Sequence, residues 1–267
     1  MIRIFVGCAP NHEDAESQAV LEWSIRKHSS EPVKIEWMHL SRDPKSYYYS
    51  DNGEGWQTSE WATPFSGFRW GIPERCEFQG KALYMDSDII VMADIAELFH
   101  QEFQPGKFLM AKGGNSWRFC VTLFDCAAAR KFAMPLHRAK THRDGHRMMI
   151  QELTGSHYVQ SFVGDWNCLD GENHSDLKDG LMKALHYTDM SSQPQLRYAI
   201  PRLEAQGQKH WYNGRTKEHH RKDVVDLFDE MFKEAIANGF VVDRYTKSPL
   251  YGEINKKSLT DYRGSIR

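Results

Sequence analysis

Two carboxylates, Asp86 and Asp88, flank Ser87 at the end of an apolar run, Ala82 to Met85. The chain turns apolar again at once, through Ile89, Ile90 and Val91. Like charges held this close to a core are costly unless something positive neutralises them. A divalent cation does so most simply, because carboxylate oxygens are what hard cations select. The plainer alternative is a strand that ends at the surface with two solvated aspartates. The motif alone leaves both open. His142 and His146 stand at the i, i+4 spacing of helical metal ligands. Gly145 between them and the lack of an intervening glutamate favour a solvated polar turn. Arg69, among Phe65, Phe68 and Trp70, is either a surface charge or a planar fork suited to phosphate and ring faces. His186, in the short run Ala184 to Thr188, reads on its own as a core histidine.

The elements that must position these groups begin with Ile2 to Val6, a compact β-type run closed by Gly7-Cys8-Ala9-Pro10-Asn11. Apolar residues at helical spacing from about Asp14 to His28 predict a helix, and Val33, Ile35 and Trp37 alternate as a half-buried strand. A β-α-β opening predicts a parallel sheet, in which ligands bind off the carboxyl ends of the strands. Gly7–Asn11 and Asp86–Asp88 lie at two such ends, so one cleft can hold both. Residues 41–55 read as a long loop near that cleft. Residues 61–70 read as an aromatic helix or turn, and 94–99 as a short helix. Further strands are expected at 107–111 and 120–124, helices at 126–132 and 148–153, and a loop at 162–167 with Trp166 buried. Residues 209–222 are basic and aromatic, with Lys209, Arg215, Lys217, Arg221 and Lys222 against Glu218. An apolar helix stripe from Val224 to Ala235 follows, capped by Asp223 and stopped at Gly239, and then a polar tail.

Composition narrows the function classes. A chain of 267 residues, 40% hydrophobic, suits one sizeable domain with an appendage or two small ones. A formal net charge of -2 gives no global field for nucleic acid, so none is expected as a partner. No stretch approaches the ~20 apolar residues of a membrane span. The five cysteines form no Cys-x-x-Cys pair, which disfavours a disulfide framework or thiolate zinc site. With no signal-peptide pattern before the first strand, a cytoplasmic setting is expected.

The order of features from the start to about residue 195 resembles the family 8 glycosyltransferases, of GT-A fold. The resemblance is carried by the opening Ile-Phe-Val-Gly, Thr63-Pro-Phe-Ser-Gly-Phe-Arg69, and Ala82-Leu-Tyr-Met-Asp-Ser-Asp-Ile-Ile-Val91. Asp94-Ile-Ala-Glu-Leu-Phe99, Val121-Thr-Leu-Phe-Asp-Cys126, Asp165-Trp-Asn167 and Leu185-His-Tyr-Thr188 complete it. It implies a GT-A catalytic domain over 1–204 and a mainly helical extension over 205–267. It also implies a retaining, metal-dependent transferase moving a sugar from a nucleotide-diphosphate sugar, with UDP the expected nucleotide, to a glycan or lipid-linked acceptor. By this resemblance Asp86, Asp88 and His186 would hold the cation. An imidazole among oxygens points to Mn2+ before Mg2+. Gly7 and Cys8 would meet the base, Arg69 and Ser87 the donor, and Lys112 and Asn115 the donor sugar. Gln151 falls near the family's amide beneath the anomeric carbon, and Glu152 suits a carboxylate-nucleophile model. Both also read as surface residues of a short helix.

Two departures stand out. The family's first loop carries an acidic residue for uridine, where this chain has Cys8-Ala-Pro-Asn11. Its closing motif carries a lysine for the diphosphate and a tryptophan, whereas His186 is followed by Tyr-Thr-Asp-Met-Ser-Ser-Gln-Pro194-Gln195. The segment 209–222 is either an acceptor contact, for an anionic glycan or the inner face of a membrane, or a solvated linker. Two rival functions are a nucleotide-sugar or glycan binding protein without turnover and a haloacid-dehalogenase-type phosphatase. The phosphatase fits poorly, since that chemistry wants a small residue or threonine where Ile89 stands.

Overall fold

The structure, a computed structural model, describes residues 1–155, 157–171, 177 and 180–254, with 132–136 described by backbone alone. The expected polar tail beyond residue 254 lies outside the described residues. The opening is β1 (Ile2–Cys8), α1 (Ala15–His28) and β2 (Val33–His39), with β1 and β2 parallel. The expected long loop contains a small hairpin, β3 (Ser50–Asp51) and β4 (Glu54–Gly55). Its turn places Asn52 and Gly53 at φ 48 and 85, the left-handed pair a two-residue hairpin requires. Phe65 leads into a 3₁₀ turn, Ser66–Gly71, and α2 (Ile72–Arg75).

The motif follows in β5 (Lys81–Asp86) and β6 (Ile89–Val91), then α3 (Ile95–Phe99). Asp94 caps α3 by accepting from the Ala96 amide at 3.0 Å. Next come β7 (Leu109–Lys112), β8 (Arg118–Asp125), α4 (Ala133–Thr141) and α5 (Gly145–Gly155). A 3₁₀ turn, Ala128–Phe132, stands where a helix was expected. The rest is β9 (Val159–Ser161), β10 (Cys168–Leu169), β11 (Ala184–His186), α6 (Leu196–Ala205) and α7 (Lys222–Ala237). The α6 helix has no counterpart in the sequence reading. The cap of α7 is Arg221, and Asp223 is the second residue of the helix, in its first turn, rather than the cap.

The main sheet has the order β2-β1-β5-β8-β7-β9 and is mixed rather than parallel, because β8 runs antiparallel to both its neighbours. A second sheet, β10-β11-β6, peels the motif's far side away from the first. One core lies on each face of the main sheet. Ile2, Ile4 and Leu83 face α1, while Phe5 and Tyr84 face an aromatic cluster around Trp56, Trp61 and Phe68. The α7 stripe, Val224, Phe228 and Met231, closes a third core with Ile90 and Leu185. The helix expected in the extension is therefore packed onto the strands that carry the motif. Among the described residues no helix is long and apolar enough to cross a membrane.

Candidate active site

Strand pairing assembles the site. β1 and β5 are parallel, with Gly7 beside Asp86, so the first loop and the motif share one carboxyl edge. β6 then pairs antiparallel with β11, setting His186 opposite Ile89, and the Tyr187 amide donates to the Asp88 carbonyl at 3.1 Å. Asp88 and His186, far apart in sequence, thereby face each other. Asp88 Oδ1 lies 3.3 Å from His186 Nε2 and is a buried oxygen with no hydrogen-bond donor.

The two aspartates have different surroundings. Arg69 is buried at 6% exposure and donates to Asp86 Oδ1 at 3.2 Å. Its other donors reach the Ser66 and Phe119 carbonyls and the Tyr84 hydroxyl, and its guanidinium lies over the Tyr84 ring. Tyr84 in turn donates its hydroxyl to Asp86 Oδ1. Burial alone would lower the Arg69 pKa, but Tyr84, Asp86 and Cys120 raise it, so the guanidinium stays charged. Asp88 instead accepts from Gln193 Nε2 at 2.6 Å through Oδ2. Gln193 also donates to the Tyr187 carbonyl, and Gln195 Nε2 holds its Oε1 at 2.7 Å.

His186 is oriented from behind. Its Nδ1 lies 3.0 Å from Asn167 Oδ1, which directs Nε2 toward the motif. Lys112 Nζ donates to the Asn167 carbonyl at 2.9 Å and lies 3.8 Å from Asp165. Burial would lower the His186 pKa, yet Cys120 and Asp88 outweigh it and hold it well above the usual value. Ligand atoms of Asp86, Cys120 and His186 lie within 4.8 Å of one another. The donor set of two carboxylates, one of them with an undonated buried oxygen, and an imidazole with its second nitrogen engaged suits a divalent cation.

A second pair of acids sits under the first loop. Asp14 is buried and accepts from the Ala9 amide at 3.0 Å and the Ser87 hydroxyl at 2.7 Å. Burial pushes its carboxyl up to about 6, against the pull of those two bonds, with Asp88 raising it further. Glu13 is pushed up to about 7, again by burial, although the Asn11 amide donates to it at 2.6 Å. Ala9, Asp14, Phe65, Asp86 to Asp88, Gln193, His210 and Trp211 line a cleft whose free volume is about 50 Å3.

No protein-family model matches the chain. Protein CDI of Arabidopsis thaliana is 28% identical over 208 residues, 70% of this chain and 77% of that protein. Among solved structures, the apo form of the WbbM bifunctional glycosyltransferase matches 92% of this chain at a TM-score of 0.58 and 14% identity. The chain spans only about half of that protein, 52%. GlyE, a glycosyltransferase of Streptococcus pneumoniae, matches over 95% of this chain at 0.55 and 16% identity, with 66% of GlyE covered. An active-site variant of LgtC matches over 87% of this chain and 96% of its own length, at 0.52 and 13% identity. The chain has the GT-A fold.

Within this GT-A cleft the expected site residues divide. Asp86, Ser87, Asp88, His186 and the Gly7 backbone converge at the sheet edge. Arg69 is present but faces inward, bonded to Asp86. Cys8 is fully buried, its thiol 3.3 Å from Gln18 and directed at the Val6 carbonyl, and Ala9 rather than Cys8 lines the cleft. Lys112 stands behind His186, and Asn115 is exposed. Gln151 and Glu152 are exposed on α5, and neither lines the cleft. His146 is not in a solvated turn: its Nδ1 accepts from Trp70 Nε1 at 2.8 Å, and burial lowers its pKa to about 3. Of the basic segment, Lys217, Arg221 and Lys222 are paired with Asp189, Asp223 and Asp226. Asp14, Asn167, Cys120 and Gln193 are not among the site residues expected from the sequence, and Trp211, expected only within the 209–222 acceptor segment, lines the cleft. Only Asp14, an acid just past the first loop, had a sequence signal that pointed toward the site.

Proposed function

We propose that the chain is a metal-dependent, retaining glycosyltransferase that moves a sugar from a nucleoside-diphosphate sugar, UDP-linked in the first instance, to a glycan or lipid-linked acceptor. One observation carries the reading: Asp86, Asp88 and His186 converge at the carboxyl edge of a GT-A sheet, with Asn167 and Gln193 orienting two of them. These residues would hold Mn2+, or Mg2+ less well. A cation bound there supplies Lewis-acid stabilisation of the charge on a departing diphosphate. Arg69 already neutralises Asp86, so in this reading it shapes the motif and leaves diphosphate neutralisation to the cation.

The chain's own residues bind and orient. Ser87 ties the motif to Asp14 and so fixes the first loop, where the base would lie, against the motif. His210 and Trp211 shut the cleft, and 50 Å3 is far below the ~300 to 1,000 Å3 of ligand pockets. In this reading His210 and Trp211, near the start of the proposed extension, cover the donor site and move aside as the donor enters. A larger cavity, about 930 Å3, lies between α6, α7 and residues 216–219, and Gln193 borders both spaces. The reading takes the acceptor to approach there. Gln151 and Glu152 are exposed on α5, so no nucleophile is assigned to them, and attack on the face from which the diphosphate departs is the retaining course.

A thermal-shift panel of nucleotide sugars, with and without Mn2+, tests this reading. The true donor should give the largest Mn2+-dependent stabilisation, by mass action, and should be hydrolysed or transferred on prolonged incubation. No metal-dependent shift with any nucleotide sugar would sink the reading. A shift without turnover across a broad acceptor panel would move it to a binding protein.

A further inference from the structure

We propose that Cys120 is a fourth protein donor to the cation centre, so that the site takes thiophilic divalent ions in preference to Mg2+ and is blocked when that thiol is modified. The proposal rests on the reading of Asp86, Asp88 and His186 as cation ligands and extends it. The thiol sulfur, an Asp86 carboxylate oxygen and a His186 ring nitrogen lie mutually within 4.8 Å. Asp88 Oδ1, undonated and buried, stands 3.3 Å from the same imidazole. Three donor groups of three chemical kinds thus face one point, and the Asp88 carboxylate stands beside the imidazole of that group.

The placement of Cys120 has a backbone cause. β7 pairs Ala111 with Thr122 but Lys112 with Arg118, so β8 carries extra residues at this point of the ladder. On its other side β8 pairs with β5 as far as Val121 opposite Met85, one residue short of Asp86. Cys120 therefore falls in the bulge at the end of the motif strand. Bulges next to sites re-aim a side chain that regular pairing would direct elsewhere. Accessibility agrees: Cys8, Cys76, Cys126 and Cys168 are buried, and Cys120 is half-buried.

The chemistry follows from donor softness. Carboxylates and imidazole accept Mn2+, but a thiolate adds affinity for Zn2+, Co2+ and Cd2+ and little for Mg2+. Binding forms a sulfur–metal bond as the S–H proton leaves to solvent, and the His186 Nε2 proton leaves likewise as that nitrogen ligates, with no change of oxidation state.

Titration of the full chain with Co2+ tests the assignment spectroscopically. The wild type should show d–d bands together with a near-ultraviolet sulfur-to-cobalt charge-transfer band. Cys120→Ser should keep the d–d bands and lose the charge-transfer band, with Cd2+ affinity falling about tenfold or more and Mg2+ affinity little changed. On the unmutated protein, Cd2+ should protect Cys120 from iodoacetamide, as read by peptide mass spectrometry, so the test survives a variant that misfolds. Co2+ bound without a charge-transfer band, a band that persists in Cys120→Ser, or alkylation unaffected by Cd2+ would each overturn the thiol donor. Failure of Co2+, Cd2+ and Mn2+ alike to bind the wild type overturns instead the underlying cation reading.

Discussion

Asp86→Ala should unfold at a clearly lower temperature than Asp88→Ala, although both should abolish cation binding. Asp86 and Arg69 form a buried pair, their side chains 14% and 7% exposed. Removing one partner of such a pair strands a charge and costs about 3–5 kcal/mol. Arg69 would keep the Ser66 and Phe119 carbonyls and the Tyr84 hydroxyl. The lower end, about 3 kcal/mol, is therefore expected. At roughly 2–4 °C per kcal/mol for a chain of this size, Tm falls by about 6–12 °C. Asp88 faces the His186 imidazole instead, and an imidazolium left without its carboxylate sheds its proton, which a guanidinium cannot do. Without it Gln193 still bonds the Tyr187 carbonyl, and the repulsion that raises the Asp14 pKa is relieved. Its loss should cost about 1 kcal/mol or less. Thermal unfolding in chelator, with calorimetric Mn2+ binding on the same samples, measures both effects. Equal Tm losses, or a larger one for Asp88→Ala, would refute the assignment of Asp86 as the counter-charge of Arg69.

Three further outcomes are expected. An alanine Cβ at Gly7 would lie 2.6 Å from both the Phe65 ring and the Tyr84 hydroxyl. Gly7→Ala should thus cost about 1–3 kcal/mol and weaken Mn2+ binding by displacing Tyr84 from Asp86; unchanged Mn2+ affinity would argue against that link. Burial raises Glu13 to about 7 and Asp14 to about 6, whereas in the unfolded chain both ionise at about 4. Between about pH 4 and pH 7 the folded state then binds more protons, so these groups lose stability as pH rises, by at most about 3 to 4 kcal/mol each. Denaturant midpoints across that window should fall more gently in Glu13→Gln, and identical slopes would contradict the raised carboxyl. Finally, donor plus Mn2+ should change the tryptophan fluorescence by displacing Trp211 from the cleft, and Trp211→Phe should lose that signal; an unaltered signal would place the motion elsewhere.

The residues that reported the fold are those whose periodicity records burial. Ile2, Ile4 and Val6 against Leu21 and Ile25 make the opening β-α-β unit legible, and Asp94 marks the start of α3. Periodicity carries no strand direction, so Arg118–Asp125 read as one more apolar strand and its antiparallel course was invisible. Nor did it report α6, where Pro201 interrupts the helical pattern. The site divides along the same line. Asp86 and Asp88 announce themselves because charge at the end of an apolar run is anomalous, and His186 entered only through resemblance. Gln193, Asn167 and Cys120 carry no such anomaly: a glutamine in a loop, an amide beside a tryptophan and a cysteine in a strand are all ordinary. What makes them functional candidates is pairing between distant segments, β6 with β11 and β8 with both β5 and β7. The bulge in β8 matters most here, because one misplaced register there would send Cys120 to the other face and leave the proposed cation centre with carboxylate and imidazole donors alone. The proposed thiol donor is thus a consequence of backbone register, and the Co2+ spectra of the wild type and Cys120→Ser test whether that register delivers a ligand.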